Sequence, residues 1–362
     1  MAEYDKILKG RKNPISGNME AQLVPTIPPS QIDELDTRAD ELASRITAVE
    51  ESGYGGMFYA TNGELHYIKS IIVPDGTKKI GQMFKNYSEE HPSNMPIEIF
   101  VPEGVEEFGD NMLASVNMAL STDSINIPST LKKIGDYAFQ YSFDGDAHCF
   151  HEKLEFPEGL ESIGTNAFYN LQTKHIIFPS TLTELVGRAF ENTFINKMTF
   201  KPLISSLAIP DYFYRDRSYG NASQYTLKEL ELAEGTVSIG NYAFYCNNLK
   251  NITIPSTVTT IGDSAFRNYS SNAPAFESIT IEEGEAPLTI GDSAFRCDSS
   301  ASSYMSNAVI RIPARCTSIA AYAFNNYNMP DNFTTTIYVN KPEGSLEDAP
   351  WGAKNATVIW TG

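Results

Sequence analysis

The 362-residue chain is short of basic side chains, cysteine, histidine and tryptophan, and it has no long apolar run. Lys and Arg number 27 against 45 Asp and Glu, a formal charge of −18. Nucleic-acid binding depends on cationic side chains that displace counterions from phosphate, so this balance argues against a DNA or RNA reader. The cysteines Cys149, Cys246, Cys297 and Cys316 are too widely spaced for a zinc ribbon or a dense disulfide framework. No stretch approaches the roughly 20 apolar residues of a membrane helix, and membrane insertion is not expected. The N-terminal Met-Ala-Glu-Tyr-Asp-Lys lacks the apolar core of a cleaved signal. The expectation is synthesis in the cytoplasm, with any delivery outside by a route that needs no such signal.

What the sequence does have is one phrase repeated. Ile125 to Phe139, Ile-Asn-Ile-Pro-Ser-Thr-Leu-Lys-Lys-Ile-Gly-Asp-Tyr-Ala-Phe, recurs at Leu154 to Phe168, Leu230 to Phe244 and Ile252 to Phe266. Looser copies run from Ile71 to Phe84, Ile99 to Leu113, Ile176 to Phe190, Ile279 to Phe295 and Ile310 to Phe324, and an irregular one from Met198 to Tyr214. The smallest step between copies is 22 residues. A repeat that short cannot bury both its faces alone, so it stacks on its neighbours as a solenoid of about ten coils. The apolar-x-apolar opening predicts a short parallel strand closed by proline. Gly135 and its equivalents predict a tight turn. Asp110, Asp136, Thr165, Asn241, Asp263 and Asp292 read as N-caps of one short helical turn. The closing Ala-Phe places a small residue where coils approach and a ring that stacks on the next coil.

This phrase resembles the unit of the BspA-like, or treponemal-type, leucine-rich repeats, over roughly Ile71 to Phe324. It departs from that pattern at Leu185-Val186, at Ala320, at Ile209-Pro210 and at the proline positions Ala233 and Glu282. The resemblance implies a solenoid that recognises a partner rather than an enzyme, because members are mostly bacterial surface adhesins and binding proteins.

Four segments follow from the pattern. Residues 1–29 end in Val-Pro-Thr-Ile-Pro-Pro and read as an extended leader or anchor. Within 30–52, a Ser30–Asp33 box opens a helix whose Ile32, Leu35, Ala39, Leu42, Ile46 and Val49 form an a/d seam. That helix either oligomerises as a dimer or trimer or caps the first coil, with oligomerisation favoured. Residues 53–335 are the solenoid. Residues 336–362 read as two strands around Pro350-Trp351-Gly352, a hairpin-like β cap. This ending looks similar to those of repeat proteins of phages and prophages.

Chemical candidates are few. Asp144, Asp146, His148 and His151 form the only cluster able to hold a metal; lacking a calcium-loop glycine and distal glutamate, it reads as a polar insertion. No cofactor is implied. The insertions after each Ala-Phe, at about 85–96, 140–153, 215–226, 267–276, 296–308 and 325–335, occupy one phase of the repeat and emerge from one edge. Of their 72 residues, 29 are Ser, Asn or Tyr, including Tyr87, Tyr141, Tyr219, Tyr225, Tyr269, Tyr304 and Tyr327. Tyrosine gives broad contact at low entropic cost and Ser and Asn give adaptable hydrogen bonds, as in antibody loops. The expectation is a phage virion fibre or decoration protein, held to virion proteins by its N-terminus. It would bind a host-surface protein or glycan through these loops. A bacterial surface adhesin and an intracellular scaffold are the alternatives.

Overall fold

The computed structural model describes residues 8–12, 19–23, 70–82, 98–114, 125–141, 152–216, 227–245, 247–268, 276–298 and 307–362. Contacts divide the chain into two compact units, Met1–Cys149 and Phe150–Gly362. Every regular element among the described residues is a β-strand. The predicted seam from Ile32 to Val49 lies outside them. In the leader, Leu8–Lys12 and Met19–Leu23 pair antiparallel, and the proline-rich stretch 24–29 lies outside the described residues.

In the first unit two parallel ladders run side by side in sequence. Ser70–Ile72 pairs Glu98–Phe100, with a further bridge from Ile99 to Ile125. Lys79–Ile80 pairs Glu107–Phe108, which pairs Lys133–Ile134. The second unit repeats the scheme. Its longer ladder falls into two separately bonded runs, Leu154–Glu155, Gln172–Phe178, Phe190–Phe200 and Glu229–Glu231, and then Asn251–Ile254 through Ser278–Ile281, Ala308–Ile312 and Thr335–Val339 to Ala356–Trp360. The other carries the central apolar residue of each copy: Ile209, Ile239, Ile261, Ile290 and Ile319 stand in register along it. Alternation puts every second residue inside, so Ile252, Ile254, Ile279, Ile281, Ile310 and Ile312 are buried. The closing aromatics form the predicted column. Phe244 and Phe266 stack 5.3 Å apart, Phe266 and Phe295 at 5.2 Å, and Phe295 and Phe324 at 5.6 Å. In the irregular copy Phe213, at the alanine position, enters the column between Phe190 and Phe244.

Three local expectations are corrected. First, the predicted helical turn is a non-helical turn built on one residue of positive φ: Tyr137 (57°), Tyr212 (57°), Tyr242 (55°), Ser264 (53°) and Ser293 (55°). Besides turn bonds of its own, such as Arg267 N to Ser264 O at 3.1 Å, its amides bond to the next coil, as when Tyr242 N donates to Asp263 O at 2.9 Å. Expected N-caps cap a neighbour instead: Asn241 and Asp263, like Asp211 at the equivalent position of the irregular copy, accept through Oδ1 from the backbone N–H of Asp263, Asp292 and Asn241 at 2.7, 2.8 and 2.6 Å. Asp110 does the same for Asp136 at 2.9 Å. Second, Gly262 is there for this close approach, since a Cβ would stand 2.7 Å from Asn241 N; Gly135 meets Asp110 in the same way. The glycines of positive φ among the described residues are Gly76, Gly104, Gly159 and Gly235, in the turn after the first strand, and Gly344 and Gly352 near the C-terminus. Third, the C-terminal segment is no hairpin. Thr335–Val339 and Ala356–Trp360 pair in parallel, Ile337 opposite Val358, so the segment is one more coil, and Trp351 continues the column against Phe324.

The coils also alternate in pairs. Glu103, Glu158 and Glu234 each accept from both the backbone N–H and the hydroxyl of a serine on the following copy, Ser129, Ser180 and Ser256. The adjacent Thr130, Thr181 and Thr257 accept from Gly104, Gly159 and Gly235 N–H and donate to a carbonyl of the earlier coil. A Glu-Gly coil is thereby clamped to a Ser-Thr coil.

Candidate recognition surface

The edge bearing the insertions is built from two adjacent rows of equivalent positions. The first is the positive-φ residue of each turn. Left-handed backbone suits Asn and Gly and is strained for bulky side chains. Asn111, Asn166, Ser264 and Ser293 are small residues there, whereas Tyr137 and, in three successive copies of the second unit, Arg188, Tyr212 and Tyr242 are bulky. The Arg188 guanidinium lies 5.3 Å from the Tyr212 ring centre, and Tyr212 and Tyr242 stack 5.1 Å apart within 3° of parallel. Tyr212 is 40% exposed despite the stack.

The second row is the position after the last residue of each phrase, Glu191, Arg215, Tyr245, Arg267 and Arg296, and insertions start at Arg215, Arg267 and Arg296. Arg215 sits 5.9 Å over the Tyr245 ring, which packs edge-on to Tyr242 at 5.6 Å and so joins the two rows. Glu191 reaches Arg188 at 3.3 Å and Arg215 at 3.7 Å. Asp298 holds the Nε of Arg267 at 2.8 Å and of Arg296 at 2.6 Å. Burial works against the Arg267 charge, but Asp298 and the nearby Tyr245 and Tyr242 outweigh it and raise its pKa. Each carboxylate thus orients two guanidinium groups, which costs those long side chains their freedom before any partner arrives.

Of the seven tyrosines predicted to bind, Tyr141 and Tyr327 are described and are 40% and 76% exposed. Tyr87, Tyr219, Tyr225, Tyr269 and Tyr304 lie outside the described residues, as do Asp144, Asp146, His148 and His151. The loop prediction passed over Tyr212 and Tyr242 because they sit inside the repeat phrase, and over Tyr245 because it directly follows a phrase with no counted insertion. The available signal was a bulky residue where four copies place Asn or Ser, at Asn111, Asn166, Ser264 and Ser293.

Elsewhere, the outward face of the long ladder is tied coil to coil by charge. Lys201 bridges Glu155 at 2.9 Å and Glu158 at 3.0 Å, and Lys197 bridges Glu229 at 3.2 Å and Glu231 at 2.6 Å. His175, Thr199 and Glu231 form a hydrogen-bonded chain across three strands. Burial and then Lys197 lower the His175 pKa. Its three members serve as ties on a sheet surface. The cavity lined by Phe276, Phe295, Cys297, Phe324 and Phe333 is walled by core side chains and belongs to packing.

The BspA-type leucine-rich repeat model matches residues 57–144, 147–221 and 217–338, in six copies. The chain belongs to the BspA-type leucine-rich repeat family. No curated protein matches it. Among solved structures, it is similar to a leucine-rich repeat protein from Bacteroides ovatus, at 15% identity over 99% of both chains with a TM-score of 0.39. It is also similar to a leucine-rich cell surface protein from Faecalibacterium prausnitzii, at 19% identity over 85% of this chain and 96% of that one, TM-score 0.30. The pneumococcal vaccine antigen PcpA matches at 15% identity over 85% and 99%, TM-score 0.29. The BspA-type assignment rests on the repeat match.

Proposed function

We propose that this BspA-type chain is a non-enzymatic recognition protein that binds a host-surface protein or glycan at the insertion-bearing edge of its repeats. The observation that carries the reading is the Arg188, Tyr212 and Tyr242 stack, where three successive copies hold large side chains in left-handed backbone. Strain of this kind, of order 1–3 kcal/mol per residue, is kept where the site uses it. The exposed, pre-ordered edges of these rings and the Arg215, Arg267 and Arg296 row adjoin the Tyr, Ser and Asn insertions, and together they make a paratope-like surface. The proposed setting is a phage particle, with residues 1–52 as anchor to virion proteins and oligomerising stalk. Family membership favours a second setting, the surface of a bacterial cell.

The test replaces both tyrosines with the residue the backbone prefers, Tyr212→Asn with Tyr242→Asn. Labelled full-length protein is titrated onto cells whose surface the wild type stains. The expected result is binding weakened tenfold or more with the melting temperature unchanged or raised. Unchanged binding with a lowered melting temperature would make the stack structural and remove the reading. Immunogold labelling of virions against bacterial surfaces separates the two settings.

A further inference from the structure

The last strand of the long ladder, Ala356–Trp360, pairs on one side only among the described residues. Thr335 N donates to Asn355 O at 3.3 Å and Thr361 N to Val339 O at 2.8 Å. In a parallel ladder this parity commits the odd-numbered residues to the inner neighbour. The N–H and C=O groups of Ala356, Val358 and Trp360 therefore point to the open edge. Their side chains face the solenoid interior, in register with Thr335, Ile337 and Val339. Those three are buried, whereas Ala356, Val358 and Trp360 are only half-buried among the described residues.

The strand Ala-Thr-Val-Ile-Trp has no charge, although the chain carries −18. Native edge strands ordinarily carry charges or proline that discourage pairing. We propose that this edge pairs antiparallel with the same strand of a second copy, about a twofold axis at Val358. Ala356 then lies opposite the partner's Trp360, small against large, and Val358 lies opposite its own copy. No like charges oppose one another. Hydrogen-bonded antiparallel pairs exchange both bonds. The three outward N–H and three outward C=O groups of each chain are thus all satisfied by six bonds. The twofold keeps both interiors on the same side of the sheet, so the half-open apolar residues close a shared core. At one hydrogen bond per roughly 100–200 Å², six bonds correspond to about 600–1,200 Å², the range of weak, reversible interfaces. This contact is separate from the N-terminal seam.

Sedimentation velocity on the full chain, from about 1 to about 200 µM, tests it, since a small interface of this class gives a dissociation constant on the order of 10 µM. A concentration-dependent doubling of mass is expected, together with a blue shift of Trp360 emission. Val358→Pro removes only an outward N–H, a position where an edge strand tolerates proline. It should weaken the doubling at least tenfold. Val358→Cys gives an independent reading that does not depend on a proline being accommodated. Directly opposed residues of a hydrogen-bonded pair have Cα atoms about 5.5 Å apart, within disulfide reach. Val358→Cys should therefore cross-link to its own copy on oxidation, with Thr357→Cys doing so far less. Absence of doubling at the highest concentration, doubling unchanged in Val358→Pro, or equal cross-linking of the two cysteine variants would overturn the proposal.

Discussion

Thr257→Val tests the clamp between alternating coils. The Thr257 hydroxyl accepts from Gly235 N–H at 3.1 Å and donates to Thr236 O at 2.8 Å. Valine has nearly the same shape, so no cavity term enters and only the two hydrogen bonds are lost. Gly235 holds a φ of 96° with Leu203 against it, so its amide has little room to find another acceptor. At about 0.5–1.5 kcal/mol per bond, plus the penalty for groups left without a partner, the loss is about 2 kcal/mol. A surface threonine outside such a clamp would move stability by no more than about 0.5 kcal/mol. Two assays read the difference. The urea midpoint should fall. More directly, the Gly235 amide should exchange about 30-fold faster, at tenfold per 1.4 kcal/mol. Thr257→Ser keeps the hydroxyl and should leave that amide within a few-fold of wild type. Thr259→Val, whose hydroxyl only donates to Val237 O, should also leave it unchanged. Gly235 exchange unaltered in Thr257→Val would show that the paired-coil clamp does not hold the turn.

Two further outcomes follow from the same structure. Phe266→Ala should cost about 3–5 kcal/mol in urea unfolding, because its ring is fully buried between Phe244 and Phe295; a loss below about 1 kcal/mol would deny the column its role. The carboxylates of Glu106, bonded to Lys132 and Lys78, and Glu155, bonded to Lys153 and Lys201, are held down at about 2 from 4.5. A folded pKa below the unfolded value stabilises the fold above about pH 4.5, and that contribution is lost as pH falls towards about 2. The melting-temperature gap between wild type and Glu106→Gln with Glu155→Gln should therefore be present at pH 6 and close near pH 2. A gap independent of pH would sink the ladder argument.

The repeat, its parallel strands and its aromatic column were legible because each needs only a residue type at a fixed phase. The turns were not. Asp, Asn and Thr before a short Ala-Phe segment satisfy the chemistry of an N-cap and of a side chain that caps the neighbouring coil equally well. Only the partner, 22 to 30 residues away for the three bonds from Asp211, Asn241 and Asp263, distinguishes them. Gly135 was misassigned for the same reason, since close approach and positive φ both demand glycine. The C-terminal strands were read as a hairpin around Pro-Trp-Gly. The register of Ile337 with Val358 is 21 residues, close to the smallest repeat step, and that spacing was the overlooked sign of another coil. The candidate surface was partly visible: the tyrosine-rich insertions stood out, but Tyr212 and Tyr242 looked like ordinary members of the phrase and Tyr245 directly follows one.

The distribution of charge gives the division of labour its physical basis. Glu103, Glu158 and Glu234 accept backbone and hydroxyl donors of the next coil, and Glu106, Glu155 and Glu231 are bonded to lysines of other coils. A carboxylate so engaged must give up these bonds to meet a partner, and as an acceptor-only group it serves the coil contacts first. The acidity is therefore bound up in holding coils together and keeping the solenoid soluble. Around the insertions the pattern inverts: Glu191 and Asp298 are nearly buried, at 13% and 12% side-chain exposure, and each orients two more exposed arginines. Carboxylates serve the scaffold in both places, and at this edge they also orient guanidinium groups beside exposed phenol rings. Arg188, Tyr212 and Tyr242 occupy positions that neither the aromatic column nor the clamps use, so residues there can change without disturbing the packing between coils.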